Sequence, residues 1–77
     1  MKLLKVETKE EVSREEAAAQ LREIADALAS HNDVEIEREG RRIVLHVPAR
    51  VRMEVEVELE DDGGELEIEL KWRRGES

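Results

Sequence analysis

The stretch VRMEVEVELEDDGGELEIELKW, residues 51–72, decides the fold of this chain. Aliphatic and charged residues alternate on both sides of Asp61-Asp62-Gly63-Gly64. A period of two places successive side chains on opposite faces of a strand. An Asp-Gly pair between two alternating runs is the strongest short-range signal for a β-hairpin. Residues 51–72 therefore predict an antiparallel hairpin with one aliphatic face and one charged face.

The position of the turn predicts which residues pair across this hairpin. A turn centred on Asp61–Gly64 places Glu60 opposite Glu65 and Leu59 opposite Leu66. The remaining inward pairs are then Val57 with Ile68, Val55 with Leu70, and Met53 with Trp72.

A second, shorter alternation precedes this hairpin. A turn at Glu39-Gly40 places Ile36 opposite Ile43 and Val34 opposite Leu45, although Glu is a poor residue for a primed turn. The segment Pro48-Ala49-Arg50 predicts a short connection that places Leu45 opposite Met53. Together these turns predict a meander of four strands.

The hydrophobic period becomes helical between about Ser13 and Ala29. Ser13 followed by Glu16 forms a capping box, which is typical of a helix start. An apolar stripe follows at helical spacing, made of Ala17, Leu21, Ile24, Ala25 and Leu28. We expect Asn32 to adopt the left-handed conformation that ends the helix.

Ahead of the helix, Leu3 to Thr8 predicts a short first strand with Leu4 and Val6 facing inward. This strand could lie antiparallel beside the last strand or parallel beside the second. Lys2 and Lys5 favour the acid-rich last strand. The predicted fold is α+β: a single helix packed on a mostly antiparallel five-stranded sheet in the order β-α-β-β-β-β, with a C-terminal meander. Residues 1–74 are predicted to form one domain and residues 75–77 a short tail.

Composition limits the classes of function. The chain has 77 residues, a net charge of -8 and no Cys. Its length suits one small domain near the lower limit for a self-supporting core, and no apolar run approaches the roughly 20 residues that cross a bilayer. The negative charge argues against binding to nucleic acid or anionic membranes. We expect a cytoplasmic protein without disulfides.

Few residues offer catalytic chemistry. The predicted register places His46 between Asp33 and Arg52, where an Asp–His pair could orient an imidazole as a general base. No candidate nucleophile accompanies the pair, so the simpler interpretation is an exposed cross-strand contact. We therefore predict that the chain is not an enzyme and uses no cofactor.

Glutamates form the second candidate surface. The predicted register places Glu58 opposite Glu67 and Glu56 opposite Glu69, and like charges so placed destabilise a sheet. Three interpretations are open: a solvated face that keeps the protein soluble, a cation site, and mimicry of nucleic-acid charge toward a basic protein. Side chains that stand parallel on a flat sheet converge poorly on a metal, so we predict no metal site.

The basic and aromatic segment Lys71-Trp72-Arg73-Arg74 could suit single-stranded nucleic acid. Alternation, however, places Trp72 on the face of Met53 and Leu70, opposite to Lys71. We therefore predict a residue at the edge of the core and no nucleic-acid partner.

Packing carries the main functional prediction. Five strands span roughly 20 Å, whereas one helix is only about 10 Å wide, so the helix leaves part of the aliphatic sheet face uncovered. Unless strong coiling of the sheet hides this face, a homodimer would cover it. The candidate self-association face is Met53, Val55, Leu70 and Trp72. The predicted function is a non-enzymatic protein-interaction or homo-oligomeric assembly module, and the alternative is an acidic decoy or chaperone-like binder of a basic protein.

Four stretches of the chain carry a family resemblance: KLLKVE (2–7), VSREEAA (12–18), LREIADAL (21–28) and, above all, ELEIELKW (65–72). They resemble the amphi-Trp domain family, a group of small prokaryotic domains named for amphipathic patterning and a characteristic Trp. The resemblance implies a stand-alone cytosolic domain and carries over no catalytic or ligand-binding residue.

Overall fold

The computed structural model of the chain describes residues 1–30 and 33–74. Within them lie one helix and four strands: α1 Arg14–Ser30, β1 Asp33–Arg38, β2 Arg41–His46, β3 Arg52–Glu60 and β4 Gly63–Lys71. Two antiparallel sheets of two strands each, β1-β2 and β3-β4, confirm the α+β class. The single five-stranded sheet was a wrong prediction.

The chain divides into two compact units, Met1–His46 and Val47–Ser77, which we call the first and second units. The single domain over residues 1–74 stays a prediction. The predicted tail at 75–77 and the predicted helix terminator Asn32 lie outside the described residues.

Helix α1 begins where the capping signal predicts. The Glu16 backbone N–H donates to the Ser13 hydroxyl at 3.0 Å, and the Ala17 N–H donates to the Ser13 carbonyl at 3.0 Å. At the other end the Ser30 hydroxyl donates to the Ala27 carbonyl at 3.1 Å. These bonds satisfy backbone groups that a helix terminus otherwise leaves without partners.

The first hairpin confirms its predicted register, with Ile36 opposite Ile43 and Val34 opposite Leu45. Glu39 and Gly40 both have positive φ, 53° and 72°, as a primed two-residue turn requires. Helix α1 packs against β1. Val34, only 1% exposed, is the most deeply buried aliphatic side chain of the described residues.

The predicted first strand does not form, because residues 1–13 contain no strand. Each observed hairpin closes through a two-residue turn, whereas a strand at Leu3–Thr8 would need a partner beyond a 17-residue helix. Pairing between distant segments costs more loop-closure entropy. The predicted inward pair nonetheless shares one side, since Leu4 and Val6 line the same groove of the first unit.

The predicted pairing of Leu45 with Met53 is also wrong, since β2 and β3 lie in separate sheets. Pro48 carries no backbone N–H for a ladder, and it restricts Val47 before it to an extended conformation. The connection therefore lacks a donor that strand pairing would use.

Within the second hairpin, the predicted pairs are wrong by two residues. The turn is Asp61–Asp62, so Glu60 lies opposite Gly63, and Leu59 lies opposite Gly64. The Asp-Gly signal assumes positive φ inside the turn, but among the described non-glycine residues only Glu39 has positive φ. Both glycines can therefore join β4. Gly64 suits its place, because a Cβ there would lie 2.9 Å from Leu59 Cδ2.

No helix in the described part of the chain is long and apolar enough to cross a membrane.

Candidate association surface

The second hairpin carries an unbroken aliphatic surface on one side. Its ladder pairs Met53 with Leu70, Val55 with Ile68, and Val57 with Leu66. We call the inward set of the two strands the aliphatic face: Met53, Val55, Val57, Leu59, Leu66, Ile68 and Leu70. Six of these side chains are between 46% and 82% exposed, and Leu70 is half-buried. Single exposed aliphatic residues are ordinary, whereas contiguous exposed rows of this length are rare on soluble monomers.

The four residues predicted for self-association are partly brought together. Met53 and Leu70 are ladder partners, and Val55 lies one pair further along β3. Met53 and Val55 are exposed. Trp72 is half-buried and follows the end of β4, so it has no partner in the ladder, and its predicted pairing with Met53 is wrong.

The sequence prediction missed the end of the face near the turn. Leu59, at 82%, is the most exposed member, and Val57 and Leu66 are also exposed. Alternation already assigned these three to the inward set, so the signal was present. The prediction confined the uncovered area to the other end because it assumed a continuous sheet.

The opposite side of this hairpin carries the glutamates. Three acid pairs face each other directly: Glu54 with Glu69, Glu56 with Glu67, and Glu58 with Glu65. We call these six residues the glutamate face. The predicted partners Glu58–Glu67 and Glu56–Glu69 are wrong by the same two-residue shift. The four predicted acidic residues remain on one face, because a shift of two preserves side-chain alternation.

Positive charge reaches only one end of the glutamate face. Arg52 Nε lies 3.2 Å from Glu54 Oε1, and Lys71 Nζ lies 3.4 Å from Glu69 Oε1. Among the described residues, no Lys or Arg lies within salt-bridge distance of Glu56, Glu58, Glu65 or Glu67. The two pairs nearer the turn therefore repel each other without a compensating ion pair.

The Asp33–His46 pair forms as predicted, but the predicted placement of Arg52 beside His46 is wrong, because β2 and β3 belong to separate sheets and Arg52 pairs with Lys71. Asp33 and His46 are ladder partners, and Asp33 Oδ1 lies 3.0 Å from His46 Nδ1. Both side chains are about two-thirds exposed. In the described part of the chain, no three His, Asp or Glu side chains group as metal ligands. The geometry is that of an exposed cross-strand contact.

An open groove lies in the first unit, between the N-terminal segment, α1 and the β1-β2 hairpin. Its volume is about 300 Å³. Its lining is mainly aliphatic, with two polar side chains: Leu4, Val6, Thr8, Ile24, Ile36, Arg38, Ile43 and Leu45. A neighbouring depression shares Thr8, Ile24 and Arg38. It adds three apolar and two polar side chains: Val12, Ala17, Leu21, Glu10 and Gln20. We call the two together the first-unit groove.

A capped helix and two tight hairpins, the second with an aliphatic face and a glutamate face, define a small amphipathic α+β protein. The chain belongs to the Amphi-Trp domain family, whose family model matches residues 1–77. This match confirms the resemblance stated from the sequence. Comparisons with curated proteins and with solved structures returned no match.

Proposed function

We propose that the chain is a non-enzymatic assembly module that forms a homodimer through the aliphatic face. The single observation that carries the proposal is the exposure of six aliphatic side chains along one side of β3 and β4. A two-stranded hairpin is marginally stable in water by itself. Covering its aliphatic side would contribute roughly 25 cal/mol for each Å² removed from water.

A second copy is the occupant that charge favours. The glutamate face lies on the opposite side of the same strands, so a contact through the aliphatic face leaves every carboxylate of that row in water. Pairing of strand edges would instead bring two glutamate rows side by side, and like charges at that distance are unfavourable.

Sedimentation equilibrium at micromolar concentration tests this proposal, with Val55→Gln and Val44→Gln as a matched pair. The two valines are 57% and 58% exposed, but Val44 lies on β2, outside the aliphatic face. We expect a dimer for the wild type and for Val44→Gln. Val55→Gln should raise the dissociation constant by about tenfold or more, since two valines lose apolar burial in each dimer. A monomeric wild-type chain would refute the proposal.

The acidic alternative is supported by the glutamate face. Three directly opposed acid pairs cost stability, and such a row could bind a basic protein. Ionic strength separates the two functions. A complex held by exposed charges weakens steeply as salt rises, whereas a dimer held by aliphatic contacts keeps its affinity. The cytoplasmic location predicted from the sequence remains part of the proposal, and cell fractionation would test it.

A further inference from the structure

We propose that the first-unit groove receives the aliphatic face of a second copy of this chain, so that two copies exchange their second hairpins. This inference rests on the proposed dimer and names the surface that completes it. Both surfaces are mainly aliphatic and open to solvent in the same chain. Exchange of one element between identical chains is a low-cost route to a dimer.

Surface area favours exchange over contact between two aliphatic faces. Full burial of a Val, Leu, Ile or Met side chain removes roughly 60–120 Å² of apolar area from water. Scaled by the exposed fraction of each residue, the aliphatic face exposes about 350 Å² of apolar area. Two such faces in contact would bury about 700 Å² of apolar area in all and would leave the first-unit groove uncovered.

Exchange uses more of the surface. The exposed parts of Leu4, Val12 and Leu21, together with the half-buried lining, give the groove about 200 Å² of apolar area. Two equivalent contacts between face and groove then bury about 1,100 Å² of apolar area, more than contact between two aliphatic faces would bury. After exchange neither surface is free on either copy, so assembly stops at two.

Charge sets the direction in which the hairpin would enter. Its turn is acidic, with Glu60, Asp61 and Asp62 in succession. The β1-β2 turn contains Glu39 but is flanked by Arg38 and Arg41, and among the described residues neither arginine has a carboxylate within salt-bridge distance. Opposite charges at matching ends favour one orientation. We expect the acidic turn of one copy to approach Arg38 and Arg41 on the other.

The test compares Leu4→Glu with Leu3→Glu by sedimentation equilibrium. The two leucines are adjacent and similarly exposed, 57% and 68%, but only Leu4 lines the groove. Both lie in the segment without strand structure, and each substitution adds one negative charge. We expect Leu4→Glu to raise the dissociation constant by about tenfold or more, and Leu3→Glu to change it less than about threefold. Equal effects in a dimeric wild type would overturn the exchange and leave the dimer standing.

Intermolecular NOEs in a mixture of labelled and unlabelled chains provide the second measurement. Exchange predicts contacts from the methyl groups of Val55 and Ile68 on one copy to those of Ile36 and Ile43 on the other. Contacts between Val55 or Val57 and the same residues of the partner would overturn it in favour of packing between two aliphatic faces. A monomer without intermolecular NOEs would refute the dimer as well.

Discussion

At the scale of single residues, Ser13 carries a measurable part of the stability of α1. Its hydroxyl accepts the Glu16 N–H at 3.0 Å. Ser13→Ala leaves that donor without a protein partner, so we expect the free energy of unfolding to fall by about 1 kcal/mol. Urea unfolding curves monitored by circular dichroism measure this loss of unfolding free energy. Ser30→Ala is the control at the other end of the helix, and a loss there as large as at Ser13 would contradict the role of the cap.

Glu39 is the second residue whose effect can be isolated. Its φ of 53° places a side chain with a Cβ in the left-handed region, which costs about 1–2 kcal/mol for residues other than Gly, Asn and Asp. Glu39→Asn keeps the primed turn and relieves part of this strain. We expect the melting temperature to rise by about 4–8 °C for each kcal/mol gained. Gly40→Ala, with φ of 72°, should lower it. A lower melting temperature for Glu39→Asn would show that the turn has another conformation.

At the scale of elements, the β3-β4 hairpin is weakened by its own glutamates. Glu56 lies directly opposite Glu67, whereas Glu54 has Arg52 at 3.2 Å. Glu56→Gln removes one repulsion, so we expect stability to rise by about 0.2–1 kcal/mol. Glu54→Gln removes an attraction as well as a repulsion and should bring a smaller gain or a loss.

Thermal melts in low and high sodium chloride complete this comparison. Salt screens exposed charges, so the difference between Glu56→Gln and the wild type should shrink in 1 M salt. An unchanged difference would mean that the gain does not come from charge repulsion.

How far the elements could be predicted follows from the range of the interactions. The helix start at Ser13 and the first hairpin depend on neighbours in sequence, and the structure confirms both. The face of the hairpin on which each β3 and β4 side chain lies was also predicted, since alternation decides it. The exact pairs were not, because a shift of two residues leaves alternation unchanged. The backbone of the Asp61–Asp62 turn and the fit of Leu59 over Gly64 accompany the observed register, and neither is visible in a hydrophobic pattern.

The prediction of a single five-stranded sheet was wrong for a different reason. Joining β2 to β3, or adding a strand at Leu3–Thr8, requires comparison of non-local pairings, and local patterning carries little information on their relative free energies. The candidate site shared this weakness. Met53 and Val55 were predicted on the exposed part of the face, but Leu59 and the groove around Ile24 were not.

At the scale of the whole molecule, few side chains are buried. Among the described residues, Val34 and Val47 are the buried aliphatic side chains. Chains of this length are near the limit at which one core suffices, and small domains often obtain the missing burial from a second chain. The proposed dimer would supply apolar burial that the described residues of a single chain lack.

If dimerisation supplies part of the burial that folding requires, thermal stability depends on protein concentration. When folding and dimerisation are coupled, each tenfold rise in concentration favours the folded dimer by about 1.4 kcal/mol, so the melting temperature should rise by roughly 2–5 °C per decade. Differential scanning calorimetry from micromolar to millimolar concentration measures this slope. Val55→Gln should lower the melting temperature most at low concentration, where dissociation leaves the aliphatic face in water. Val44→Gln should keep the wild-type slope, because Val44 lies outside that face while being equally exposed. A melting temperature independent of concentration in the wild type would show that a single chain covers its own apolar surface, and both the dimer and the hairpin exchange would then be wrong.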